Sequence, residues 1–274
     1  ERLAKSNARE AVTLSSAPGP LARGVTVSNR FVVVLHQGPV DSPEALVRLR
    51  DAYRHLDASV ARTEQGTLLA TGYPLRFGAQ DGAVAAQVDT RERHDPLPVV
   101  VDGLHPGWSV VVALDDELQV AEMIGTTLYA TVPPGRGPAR LAIGHPLQCS
   151  EEAVRLEWAG RHAGGARFHV HNPTAREVTV QISSNRELPV PNVRALWTLA
   201  PGESAWLWGR GSLLVREGPG TQVTASAVEG QHLVVSWQGG GAFRSRVGFA
   251  SEQSREMPAG RHQERMRAPE GESW

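Results

Sequence analysis

The stretch Phe168-His169-Val170-His171-Asn172-Pro173-Thr174-Ala175-Arg176-Glu177-Val178-Thr179-Val180-Gln181-Ile182 decides the class of fold. Phe168 and Val170 alternate with His169 and His171, so an extended segment here carries one apolar and one polar face. Asn172-Pro173-Thr174 ends that segment. Proline brings no N–H to a ladder, and short Asn and Thr side chains bond to nearby backbone in turns. From Glu177 the alternation resumes, with Val178, Val180 and Ile182 on one side and Thr179 and Gln181 on the other. A strand, a tight turn and a returning strand leave no room for a crossover helix, which suits an antiparallel sandwich and not βαβ units.

The same punctuation extends in both directions. Towards the C-terminus, strands are expected at 154–158, 166–171, 176–183, 193–199, 204–208, 212–216, 222–228, 232–237 and 243–249, with no helix among them. Pro201-Gly202-Glu203 turns the segment at 193–199 into the one at 204–208. Towards the N-terminus, strands are expected at 26–35, 67–71, 83–89, 98–102, 108–114, 126–132 and 139–143. Turn residues recur roughly every 8 to 12 positions, the spacing of antiparallel sandwiches.

One helix interrupts this pattern. Asp41 or Ser42 can cap it, Pro43 suits its first turn, and Leu46, Leu49, Tyr53, Leu56 and Val60 form one apolar stripe over 42–61. The sequence therefore predicts a mainly β protein of two antiparallel sandwich-like modules, the first carrying one amphipathic α-helix. Residues 1–24 form an extended lead-in, 25–150 the first module, 151–250 the second, and 251–274 a polar tail that is extended or disordered.

Composition narrows the function. The chain has 274 residues, 41% of them hydrophobic, and a net charge of −1, so it presents no broad basic field to nucleic acid or an anionic membrane. No apolar run approaches the ~20 residues of a membrane span. Cys149 is the single cysteine, which excludes an internal disulfide. Lys5 is the one lysine among many arginines, as codon bias would produce. The chain opens on Glu1 with nothing resembling a signal peptide, as a processed product or a piece of a longer chain would.

Three stretches carry a resemblance: Phe168–Thr174, Glu177–Ile182 and Leu199-Ala200-Pro201-Gly202-Glu203-Ser204. Together they resemble bacterial immunoglobulin-like modules, similar to the accessory domains that follow catalytic domains in secreted glycoside hydrolases and polysaccharide lyases. The resemblance covers residues 151–250. It implies a sandwich there, an extracellular or cell-surface location, and the support of a catalytic partner.

Candidate chemistry is sparse. Seven Trp stand against three Tyr and five Phe. Trp206 and Trp208 share a strand face, Trp197 would sit across from them if the two strands form a hairpin, and Trp108 opens a strand. Exposed, these four would make a sugar-stacking platform; buried, they are core. His169 and His171 share one strand face, the spacing of two metal ligands, or else stand on a solvated surface. Asp115-Asp116-Glu117 is an acidic turn that calcium could use. His145 with Cys149 reads as a buried thiol rather than a nucleophile and its base. There is no G-x-S-x-G elbow and no glycine-rich phosphate loop before a helix, and no cofactor is implied.

These features lead to a non-catalytic accessory region of a larger or processed bacterial carbohydrate-active protein. It would meet a catalytic domain or partner chain through its N-terminal segment and C-terminal tail, and would contact polysaccharide through Trp. The alternatives are an assembly subunit of a multi-protein or cell-surface complex, and a hydrolase or lyase in its own right.

Overall fold

The computed structural model describes residues 2–5, 12–15, 59–71, 74–91, 93, 96–218, 220–247 and 253–267. The chain divides into two compact units, residues 1–42 and 43–274. In the first unit, Arg2–Lys5 (β1) pairs antiparallel with Val12–Ser15 (β2), so the lead-in holds a paired hairpin. The strand expected at 26–35 lies outside the described residues. So does the helix expected over 42–61, except at its end, where Val60 and Ala61 already belong to a strand.

The second unit is built of strands throughout its described residues. Its first ten are Val60–Gln65 (β3), Thr67–Ala70 (β4), Leu75–Gly78 (β5), Ala83–Val88 (β6), Leu97–Asp102 (β7), Val110–Leu114 (β8), Glu117–Ala121 (β9), Met123–Ile124 (β10), Thr127–Val132 (β11) and Ala139–Gly144 (β12). They form two five-stranded sheets, ordered β10-β11-β7-β5-β4 and β3-β6-β12-β8-β9. All pairings in them are antiparallel except β5 with β7, which is parallel. Leu75, Phe77, Val99 and Leu128 of the first sheet share one core with Val84, Val88, Leu141 and Ile143 of the second.

The second of these sheets is apolar on both faces. On β6, Val84, Ala86 and Val88 face that core, while Ala85 belongs to a different cluster together with Val111, Ala113 and Ala142. Strands covered on both sides read as continuous apolar runs, and this explains Ala83-Val84-Ala85-Ala86. The second cluster also takes in Leu147, Phe168, Ile182, Trp197 and Leu207, so residues on both sides of residue 150 share one core.

The remaining strands are Leu147–Cys149 (β13), Arg155–His162 (β14), Gly165–His171 (β15), Val178–Ser184 (β16), Arg194–Leu199 (β17), Ser204–Arg210 (β18), Leu213–Glu217 (β19), Gln222–Glu229 (β20), His232–Val247 (β21) and Gln253–Arg267 (β22). One sheet is β13-β16-β17; the other is β14-β15-β18-β19-β21-β20, with β22 added on β21. The expected strands at 232–237 and 243–249 are a single strand. The tail, expected to be extended or disordered, contributes β22, which pairs along β21 from His232↔Arg267 to Ser245↔Gln253. Tail residues alternate too weakly for a periodicity argument, but the backbone hydrogen bonds of an added strand do not depend on side-chain pattern.

The turns that carried the family resemblance meet in space. Asn172 is fully buried; its Oδ1 accepts from Thr174 N at 3.0 Å and Thr174 Oγ1 at 2.7 Å. Its Nδ2 donates to Arg176 O at 2.8 Å and Ala200 O at 2.9 Å. One amide thus ties the turn at 172–176 to the turn at 200–203.

The largest sheet is folded over on itself. Both β19 and β20 pair with β21, at residues 244–247 and 232–238 respectively. Arg210 pairs with Leu213 at the start of β19, and Ser226 lies beyond its end, yet Arg210 Nη1 donates to Ser226 Oγ at 2.8 Å. Only a ribbon that turns back over the sheet brings these atoms together. Its inner side packs Val223, Leu233, Val235 and Trp237 against Trp208, Leu213 and Val215. The crease falls on glycines: Gly239 has φ +141° and opposes Gly260, and a Cβ on it would lie 1.7 Å from Gly220 O. No other residue fits that approach.

Candidate functional site

The crease leaves a cleft of about 630 Å³ between the sheet and the folded-over ribbon. Trp206 lines it, with Arg167 and Glu217 on the sheet side and Thr221, Gln222 and Gln238 on the ribbon side. Strand register builds the floor. Glu157, His169, Trp206 and Glu217 are successive cross-strand neighbours on β14, β15, β18 and β19. Because side chains alternate along a strand, all four stand on one face.

Trp206 and Trp208 share that face but meet different fates. The ribbon covers Trp208 completely, and its Nε1 donates to His162 O at 2.8 Å. Trp206 lies nearer the crease and stays 42% exposed. Arg167 places its guanidinium carbon 5.1 Å from the Trp206 ring centroid, and the His169 ring stands 5.1 Å away on the same strand. A guanidinium at that distance steadies an indole by ~0.5–1 kcal/mol at an exposed site.

Arg167 is itself held. Its Nε donates at 2.7 Å to Oε2 of Glu217, a buried carboxylate, and Oε1 of Glu217 accepts from Val223 N at 2.9 Å. Glu217 therefore connects the ribbon, through Val223, to the plate formed by Arg167 and Trp206. At one end of the cleft Arg216 lines the wall and is paired with Glu203, whose other oxygen accepts from Ala200 N at 2.7 Å.

Of the other expected platform residues, two are fully buried and one is half-buried. Trp197 is fully buried, and its strand β17 pairs with β16 rather than with β18, so the hairpin that would set it beside Trp206 does not form. The turn at 201–203 instead crosses from one sheet to the other, and Trp197 fills the core between them. Trp208 is closed off by the ribbon. Trp108 is half-buried: its Nε1 donates to Val154 O at 2.8 Å, and its ring is flanked by His105 at 4.3 Å and His145 at 5.4 Å. That indole braces the loop before β8 against β14, where Ser109 N donates to Leu156 O and Leu156 N to Gly107 O.

His169 and His171 do share the outer face, with Phe168 and Val170 inward. Each has its own neighbour: His169 Nδ1 lies 3.5 Å from Glu157 Oε2, and His171 Nδ1 lies 2.8 Å from Ser204 Oγ. Among the described residues no group of three His, Cys, Asp or Glu side chains could hold a metal ion, and this includes the acidic turn at 115–117. Asp115 spends Oδ1 on the backbone N–H of Arg140.

His145 and Cys149 do not form a nucleophile and base. His145 is fully buried; its Nε2 accepts from His105 N at 2.8 Å and its Nδ1 faces Ser109 O at 3.0 Å. An N–H donor and a carbonyl acceptor fix the neutral tautomer, and burial holds the pKa below the usual histidine value. Burial pushes the Cys149 thiol up to about 11, so no thiolate is poised there.

Sequence reasoning missed Arg167 and Glu217. Arg167 was within reach, since it shares parity with His169 and His171 on a strand already recognised. Glu217 was not, because its place beside Arg167 depends on the order of β15, β18 and β19. No family model, characterised protein or solved structure matches the chain.

Proposed function

We propose that this chain is a non-catalytic accessory region of a bacterial carbohydrate-active protein, and that it contacts polysaccharide at the Trp206 cleft. In this reading the four sheets of the second unit pair into two immunoglobulin-like sandwiches. The shared cores between facing sheets support that arrangement. The location is extracellular or at the cell surface, and a catalytic domain or partner chain is met through the N-terminal segment and the C-terminal tail.

The observation that carries the reading is the exposed indole of Trp206, held by Arg167 at the floor of a cleft. A rigid indole offers a flat apolar plate to the C–H face of a sugar ring, and a plate already fixed in place loses little entropy on binding. The hydroxyls and amides around it supply the few polar groups that orient a ligand.

Native affinity electrophoresis in gels containing single polysaccharides tests this. At least one polysaccharide is expected to retard the wild-type chain, with retardation lost in Trp206→Ala. If the wild type runs unretarded through every gel, the polysaccharide role falls and the assembly-subunit reading takes its place.

A further inference from the structure

We infer, on the basis of the cleft reading above, that the ligand at Trp206 is an uncharged saccharide rather than a uronate or other polyanion. The charges at the cleft are already spent on one another. Arg167 is bound to Glu217, and both oxygens of that carboxylate are used, one by Arg167 Nε and one by Val223 N. Arg216 is bound to Glu203, and both oxygens of that carboxylate are used as well, one by Arg216 and one by Ala200 N.

Each guanidinium among the residues that line the cleft, Arg167 and Arg216, is thus already paired with a carboxylate, so no unpaired positive charge draws an anion into it. A carboxylate-bearing sugar drawn to Arg167 would meet a guanidinium whose charge is already balanced by Glu217, a carboxylate whose side chain is only 3% exposed. A second carboxylate set beside that pair would meet the repulsion of a like charge that the site holds away from water.

The polar groups left for a ligand are neutral. Gln222 and Gln238 line the ribbon side, and Ser204 and Thr224 complete the rim. The amides can both donate and accept, and the two hydroxyls, bonded to His171 and to Ser236 O, keep lone pairs to accept with, which matches the hydroxyl groups of a neutral sugar. Arg167 keeps its terminal nitrogens beyond the Nε that Glu217 takes, and these can donate to a sugar hydroxyl without a net charge transaction.

The test uses the full chain in affinity gels that contain either a neutral polysaccharide (a glucan, mannan or xylan) or a polyuronate, each run at low and at physiological salt. A neutral polysaccharide is expected to retard the protein equally at both salts, and Trp206→Ala to abolish the effect. A Glu217→Gln variant frees Arg167 from its counter-charge, and it is expected to gain retardation by polyuronate that fades with salt. Thermal melting checks that it remains folded. If it does not, the wild-type and Trp206→Ala arms decide alone. Wild-type retardation by polyuronate, steep in salt and lost in Trp206→Ala, would overturn the ligand class while leaving the cleft as the site. No retardation by any polysaccharide overturns the cleft reading itself.

Discussion

Replacing Asn172 by Ala should destabilise the second unit more than any surface change nearby. The side chain is fully buried and makes five hydrogen bonds: it accepts from Thr174 N and Oγ1 and donates to Arg176 O, Ala200 O and, at 3.4 Å, Leu199 O. Each such bond is worth ~1 kcal/mol net, and a buried group left without a partner costs more. Arg176 O keeps a second donor in Thr174 Oγ1 and Ala200 O keeps one in Glu203 N, each at 3.1 Å, but Thr174 N loses the partner that Asn172 supplied. The expected loss is therefore about 3–4 kcal/mol. With a urea slope of ~2.5 kcal/mol/M, the unfolding midpoint should fall by ~1.2–1.6 M. Asn172→Asp keeps the shape but turns a donor into a carboxylate oxygen facing three carbonyls, so at neutral pH its loss should be at least as large. Thr174→Ala, at the exposed end of the same network, should cost only ~1 kcal/mol. The assay is urea denaturation followed by Trp fluorescence. An Asn172→Ala midpoint within ~0.4 M of wild type would show that the two turns hold their positions without this amide, and the account of the joined turns would be wrong.

Two further outcomes follow from buried titratable groups. His145 is held neutral, with its pKa below the ordinary 6.5, first by burial. The unfolded chain takes up a proton below ~6.5 while the native fold does not, so the His145 contribution is intact above that pH. It is lost as pH falls toward the depressed native value, by up to ~1.4 kcal/mol per pH unit. Urea midpoints at about pH 7.5 and about pH 5 should therefore differ less in His145→Gln, whose neutral amide can serve both Ser109 O and His105 N; an equal difference in both proteins would refute this. Cys149 is 8% exposed with a thiol pKa of about 11, so at about pH 8 only on the order of one thiol in a thousand is ionised. Native protein should resist a thiol-specific colorimetric reagent that labels the urea-unfolded chain fully. Rapid labelling of native protein would contradict the burial.

Much of the β architecture was legible because alternation is a local property. Phe168 to Ile182 announced strand, turn and strand, and β15 and β16 lie there with Phe168, Val170, Val180 and Ile182 inward. Edge strands were harder. Glu117–Ala121 has only mixed exposure, because one side of it meets solvent and no strong alternation is required. The tail strand β22 was illegible for a related reason: its pairing rests on backbone bonds, and Arg261, Gln263 and Arg265 show no apolar rhythm. Of the candidate site, exposure was the part that composition could not settle. Trp206 and Trp208 are equivalent by parity, and only the fold-back of a distant ribbon over one of them separates floor from core. That fold-back rests on Gly239 passing Gly220, a contact between positions whose proximity no short window reveals.

The sheet β3-β6-β12-β8-β9 stands as a party wall, with one core plastered to each side. Its alternate residues answer to different neighbours: Val84 and Ile143 to one room, Ala85 and Ala142 to the other. A methyl group added at Ala85 cannot be absorbed on its own side, because the strand that carries it also fixes Val84 against the opposite core. The two halves therefore share their tolerance for change as well as their surface. A splice or recombination point near residue 150 would strip the finish from a wall that both rooms need, leaving an alanine-rich face bare to water. The chain can be engineered only as one body from β3 to β22.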